Sequence, residues 1–416
     1  MPRFTRRRAK WLAVALALLA AAAPNVWAWA QLRSGRAALE AHRPDAARRA
    51  LEGCARVWGF RPSVRLLACR AAWQSGDPEG AIRELRAAQR RTGATADTAL
   101  EWALTAASAG ELGETEQFLQ QQMDARPDLA PLAWEALALG YLRVYRTRDA
   151  MTGLNFWLAR DPDNVRALDL RGQTYVVGKG VVRGCEDYRR VLERDPARAD
   201  TRRRLADGLI ALGGYEEAVT HLELLRRADP TDAGLAARLA RCYALLGRGD
   251  EARALLAPVL AAHPDDGPAL RTLGQVELVT GRAGAAEAPL RRAAALLPND
   301  YHAQQLFFQA LQQQGKTDEA RAQLKGAEAV RERAERVGEL TSRRLAENPL
   351  DPALHFEMGK LLLESGTPDV AEQWLLTALR LDPGHRAAHA ALAGLYAARG
   401  DAARADRHRA LAGAKP

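Results

Sequence analysis

DPTDAGLAARLARCYALLGRGDEARALLAPVLAA at residues 229–262, followed without a break by HPDDGPALRTLGQVELVTGRAGAAEAPLRRAAAL at 263–296, is one pattern written twice. Pro230 and Pro264, Gly247 and Gly281, Ala252 and Ala286, and Leu256 and Leu290 each stand 34 residues apart. Working outward, proline recurs at Pro162, Pro196, Pro230, Pro264 and Pro298 at the same step. That register divides the chain into repeats starting at residues 28, 62, 96, 131, 165, 199, 233, 267, 301, 352 and 386. A fixed period of this length marks a stacked repeat architecture, so the search for self-similarity comes before any reading of single elements.

Each column of the repeat has one physical task. The twentieth position is Ala47, Ala81, Thr115, Ala150, Gly184, Ala218, Ala252, Ala286, Ala320, Ala371 and Ala405, and the eighth is small everywhere except Phe308. Small residues there let two antiparallel helices approach closely. The twenty-fourth position is Leu in nine of eleven repeats, with Tyr188 and Arg409 departing, and supplies the apolar knob of the second helix. The fifteenth is Gly in eight repeats, from Gly76 to Gly400, which suits the left-handed conformation that ends a helix. The prolines end the second helix because they lack an amide hydrogen and restrict the residue before them. Trp102 and Trp157 fall at core columns and need no ligand.

The pattern resembles the tetratricopeptide repeat over residues 28–416. The matching residues are Trp134, Leu137, Ala138 and Tyr141 with Ala150, Leu154 and Pro162, and Met358-Gly359 with Ala371, Leu375, Ala378 and Pro383. The resemblance implies an all-α fold: a right-handed α-solenoid of about eleven stacked helix-turn-helix repeats around a concave groove. Gly59 and Gly93 stand where Pro is expected, and Lys179 and Gly184 replace Gly and Ala, so the repeat at 165 is expected to be distorted.

In this family the first helix of each repeat lines the groove. The positions that match give a partner-binding surface of Arg166, Asp169, Gln173, Asp200, Arg203, Asp207, Arg241, Arg271 and Gln275, then His302, Gln305, Gln309, Gln312 and Gln313. Amides and mixed charges suit a protein segment, whose main chain and side chains they can read. Early groove positions such as Leu66, Trp73, Leu100, Leu104, Leu139 and Leu142 are far more apolar. The Lys and Asn that the chaperone-tail binders of the family need at their fifth and ninth positions occur in no repeat, which disfavours that ligand class.

The repeat that begins at 301 carries 17 extra residues before Pro349. With no proline over about 318–347, one extended second helix is expected, lengthened by about 25 Å. Val330, Ala334, Val337, Thr341 and Leu345 form a thin apolar stripe along it, for packing on the neighbouring repeat or on a partner.

Ahead of the repeats, residues 1–27 read as a signal peptide or a single-pass membrane anchor. MPRFTRRRAK is basic, and the run from Trp11 to Ala30 is broken only by Pro24 and Asn25. Cleavage after Ala30 is one reading; a span with Trp27 and Trp29 at the far interface is the other, and the length of the run favours the span. Both place the repeats outside the cytoplasm.

Net charge is +9, of which Arg3, Arg6, Arg7, Arg8 and Lys10 supply five. The remainder is too dilute for a nucleic-acid surface. Of four cysteines none forms a CxxC pair, and Cys54 and Cys69 are candidates for a disulfide in an oxidising compartment. His385 and His389 lie four apart without the acidic partner of a zinc motif. With no phosphate loop or GxSxG, the expectation is a scaffold for other proteins, with no catalytic site, metal, cofactor or small-molecule substrate. The alternative is a regulatory or assembly subunit of an enzyme or secretion complex whose active site is on another chain.

Overall fold

The computed structural model describes residues 6–413, with side chains from residue 22 onward apart from Lys325, Ser342 and Ala346. Among the described residues every regular element is helical. The chain divides into two compact units, Met1–Arg171 and Gly172–Pro416.

The first unit runs α1 (Arg6–Glu40), α2 (Pro44–Trp58), α3 (Pro62–Gln74), α4 (Pro78–Thr92), α5 (Ala96–Ser108), α6 (Gly113–Ala125), α7 (Ala130–Arg143) and α8 (Thr147–Arg160). The division falls inside α9 (Val165–Val177). The second unit continues with α10 (Val181–Arg194), α11 (Ala199–Leu212), α12 (Tyr215–Ala228), α13 (Ala233–Leu245), α14 (Gly249–Ala262), α15 (Gly267–Val279), α16 (Ala283–Leu296) and α17 (Tyr301–Gln313). Then come α18 (Thr317–Glu339), a π-turn at Leu340–Arg344, α19 (Leu345–Glu347), α20 (Pro352–Glu364), α21 (Pro368–Leu381), α22 (Arg386–Ala398) and α23 (Ala402–Gly413). In each unit consecutive helices pack as antiparallel pairs, so the chain is an α-solenoid of helix hairpins.

The columns meet as their sizes require. Leu51, Leu154, Leu222, Leu256, Leu290 and Leu375 are fully buried, each burial worth about 1.5–3 kcal/mol. Where the eighth position is Gly, the leucine of the second helix rests on its Cα. A Cβ added at Gly35, Gly274 or Gly359 would stand 2.6, 2.2 and 2.7 Å from Cγ of Leu51, Leu290 and Leu375. The turn between paired helices is left-handed in every repeat. The eight fifteenth-position glycines have φ between 71° and 89°. His42, Tyr145 and Lys179 fill the same position in the other three repeats, at φ 52°, 57° and 64°.

The sequence reading passed over one device. Asp232, Asp266 and Asp300, each two residues after a repeat proline, accept a hydrogen bond from the amide of Leu235, Ala269 and Ala303 at 3.0, 2.8 and 3.1 Å. Asp351 takes the Ala353 amide at 2.8 Å, and His385 takes Ala388 at 3.2 Å. These side chains satisfy amides that the first turn of a helix leaves unpaired.

Four expectations change. Cys54 and Cys69 are free buried thiols in separate clusters, Cys54 against Ala28 and Trp58, Cys69 against Trp73 and Leu104. Burial raises the Cys69 thiol to about 12, the behaviour of an inert core residue. Trp102 is 42% exposed, although Trp157 is buried. Its column holds buried Leu205, Leu239, Met358 and Leu392 elsewhere, whereas Trp102 faces a cleft between α4, α5 and α6. The repeat at 165 keeps its hairpin, with buried Tyr188 over Gly172 standing in for leucine. The long second helix contains a π-turn. Leu340 and Leu345 are both fully buried; on an α-helix residues five apart diverge by about 140°, and the wider turn brings them together. Its far end is fixed to α20, where Glu357 accepts from Arg336 Nε at 2.5 Å and Arg344 Nη1 at 3.0 Å.

No helix among the described residues is long and apolar enough to cross a membrane. The side chains of the basic segment and of the apolar run as far as Ala21 lie outside the described residues.

Candidate partner-binding surface

The groove residues divide into two classes: those the chain uses itself and those it leaves open. In the first unit the polar positions are consumed. Arg166 is 9% exposed, donating from Nε to Glu135 Oε1 at 2.7 Å and from Nη2 to the Gln74 carbonyl at 3.0 Å. Gln74 donates to the other Glu135 oxygen at 2.7 Å. Glu135 was missed in the sequence reading, which took only leucines from its helix. Its signal was an acid 31 residues before Arg166, one repeat back on the facing helix. Asp169 is buried and Gln173 half-buried, and neither is free of partners. Trp73, Leu100 and Leu104 are buried too, so these apolar groove positions belong to the core.

In the second unit the charges bind successive repeats together. Arg203 Nη2 lies 3.4 Å from Asp232 Oδ2, Arg238 Nε lies 2.7 Å from Asp207 Oδ1, and Arg271 pairs with Asp300. Asp232 and Asp300 do this with the carboxylate oxygen left over from capping their own helices. Arg203, Asp207 and Arg271 are therefore engaged within the chain rather than held for a ligand. Glu101, buried beside Arg70, has its carboxyl pushed up by desolvation, which the guanidinium opposes.

Among the described residues, Asp200, Arg241, Gln275, His302, Gln305, Gln309 and Gln312 make no side-chain hydrogen bond or ion pair. Three of these come together. Gln305, Gln309 and Gln312 line a cleft between α17 and α18 with Tyr301, Phe308, Leu324, Ala327, Glu328 and Arg331. Its volume is about 180 Å³, room for one bulky apolar side chain. Phe308 lines it at the eighth position, where the other repeats carry a small residue. The cleft thus combines an apolar wall of Phe308, Leu324 and Ala327 with three carboxamides, each able to donate to and accept from a peptide bond. Arg331 sits at the rim, 3.6 Å from Glu335.

His385 and His389 serve the fold instead of a metal. His385 caps α22; His389 Nε2 lies 3.1 Å from the Pro383 carbonyl and its Nδ1 2.8 Å from His408 Nδ1. Gln304 and His355 hold the equivalent position in the two preceding repeats and meet the carbonyls of Pro298 and Pro349 at 3.3 and 2.8 Å.

Family models described as tetratricopeptide repeat match residues 209–275, and residues 32–96 and 306–386, together just over half of the chain. No curated protein matches it. Solved structures similar to it include PilW, a widely conserved type IV pilus biogenesis factor, at 23% identity over 46% of this chain and 90% of that one, TM-score 0.40. MamA is similar at 22% identity over 39% and 88% of the two chains, TM-score 0.31. A tetratricopeptide repeat protein from Parabacteroides merdae is similar at 15% identity over 68% and 99%, TM-score 0.34. With small-residue columns seated on leucines, left-handed turns at each fifteenth position and family models over half its length, this chain belongs to the tetratricopeptide-repeat family.

Proposed function

We propose that this protein is a non-catalytic scaffold that binds a segment of a partner protein in the cleft between α17 and α18. The observation that carries the reading is the unpaired set Gln305, Gln309 and Gln312 beside an apolar wall. Elsewhere along the first helices many charged groups are spent on the chain itself. An extended segment would place one apolar side chain against Phe308 and offer its peptide bonds to the amides. Gln305→Ala with Gln309→Ala, both half-buried and unpaired, leaves the fold intact and lowers partner recovery in co-purification from the native membrane about tenfold or more. Undiminished recovery would remove the cleft from the account.

The scaffold acts at a membrane, its repeats outside the cytoplasm and its N-terminus inside. Five cations followed by an uncharged apolar run support this. Retention of the run is supported by packing: Trp58 Nε1 donates to Asn25 Oδ1 at 2.8 Å, and Ala28 is fully buried against Cys54 and Trp58. Cleavage after Ala30 would strip both from α2. Intact mass of the chain recovered from bacterial membranes should include residues 1–30; a chain starting at Gln31 would contradict retention.

A further inference from the structure

A second cleft, of about 540 Å³, opens in the first unit between α4, α5 and α6. Gln89, Ala94, Thr98, Ala99, Trp102, Ala103, Glu114, Thr115 and Phe118 line it. Two departures from the repeat pattern line it: Trp102, exposed where leucine recurs in five other repeats, and Thr115 at the twentieth position, alanine or glycine in the others.

The chemistry of the lining is unusual for this chain. The sequence has 60 Lys and Arg residues against 51 Asp and Glu, yet none of the nine lining residues is a cation. Glu114 is exposed and makes no ion pair or hydrogen bond, whereas Glu116, two residues on, holds Arg146 at 2.9 Å. Several aromatic faces elsewhere are covered by the chain's own guanidinium groups. Arg61 lies 4.1 Å from the Trp58 ring, Arg146 4.6 Å from Tyr141, Arg248 4.0 Å from Tyr243 and Arg404 4.3 Å from Tyr396. Trp102 and Phe118 have no such partner. An electron-rich indole face, a free carboxylate and the absence of a resident cation are together complementary to an incoming positive charge.

We propose that the Trp102 cleft is a separate docking site for an arginine-bearing segment of a partner protein. The guanidinium covers the indole as the chain's own arginines cover its other rings, and pairs with Glu114. A guanidinium suits both tasks because it is planar, weakly hydrated and forked toward a carboxylate. Gln89 and Thr115 offer acceptors for its remaining N–H groups or for the segment's main chain.

The test uses full-length protein labelled with 5-fluorotryptophan. The Trp102 fluorine resonance is assigned by its loss in Trp102→Leu, a variant that introduces the residue this column carries in five other repeats. The protein is titrated with acetyl-Ala-Ala-Arg-Ala-Ala-amide and with the same peptide carrying citrulline, which is uncharged and nearly isosteric. The arginine peptide should move the Trp102 resonance in a saturable way below about 10 mM, the range of a single anchoring contact. Citrulline should leave it in place, and Glu114→Gln should weaken the arginine response about tenfold. An equal response to citrulline, no response to arginine, or an unchanged affinity in Glu114→Gln would each overturn the proposal. The readout belongs to the Trp102 cleft alone, so its outcome is independent of the cleft between α17 and α18.

Discussion

At the scale of single residues, the turn between paired helices gives the cleanest test. Lys179 holds φ 64° at a position that is glycine in eight repeats, is exposed, and its side chain has no partner among the described residues. A side chain in the left-handed region costs about 1–2 kcal/mol, and glycine returns part of that through the entropy of the unfolded chain. Lys179→Gly should therefore stabilise by about 0.5–1 kcal/mol in urea denaturation; a loss of stability would contradict the strain. A second test uses pH. His389 Nε2 lies 3.1 Å from the Pro383 carbonyl and its Nδ1 2.8 Å from His408 Nδ1, which sets the His408 ring in a packed, half-buried position. Burial first, then the charge of His389, Arg407 and Arg404, lowers the His408 pKa below the ordinary 6.5. The unfolded chain then binds the extra proton, so the contribution is complete above about pH 6.5 and fades as pH falls toward the folded value. Amide protection factors in α22 and α23, corrected for the intrinsic exchange rate, should fall as pH drops below about 6.5. His408→Gln should flatten that dependence, and an equal slope in both proteins would refute the assignment. The glycine columns were legible from sequence because backbone conformation leaves a residue signature. The free or paired state of Arg203 and Asp207 was not, because partners one repeat away depend on how side chains reach between helices.

At the scale of elements, the repeat prolines are followed by caps that also join neighbours. Asp300 spends one oxygen on the first turn of α17 and the other on Arg271 of α15, whereas Asp266 only caps α15. Asp266→Ala should cost about 1 kcal/mol and Asp300→Ala about 1–2 kcal/mol, a difference that Arg271→Ala erases in a double-mutant cycle. Independent additivity would show that the pair contributes nothing. The extended helix was readable as one helix from its lack of proline, but its π-turn was not. Burying Leu340 and Leu345 together is a demand set by the neighbouring hairpin. Trp102 shows the same limit: its column said core, yet the side chain is 42% exposed and lines a cleft.

For the whole molecule, periodicity specified a repeat fold with unusual clarity, since each hairpin contacts mainly its neighbours and the same columns recur. The proposed function rests on departures from the period: Phe308 where a small residue belongs, and Trp102 with Thr115 where leucine and alanine recur. Of the family's groove positions, by contrast, Arg166, Arg203, Asp207 and Arg271 are engaged in ion pairs within the chain. The central claim is that a partner meets the amides beside Phe308 and not the paired charges of the groove. A photo-crosslinking amino acid placed in native cells at Gln309, and separately at Asp207, tests it most directly. The account expects a discrete adduct from position 309 and none from 207; the same adduct from 207, with nothing captured at 309, would contradict it.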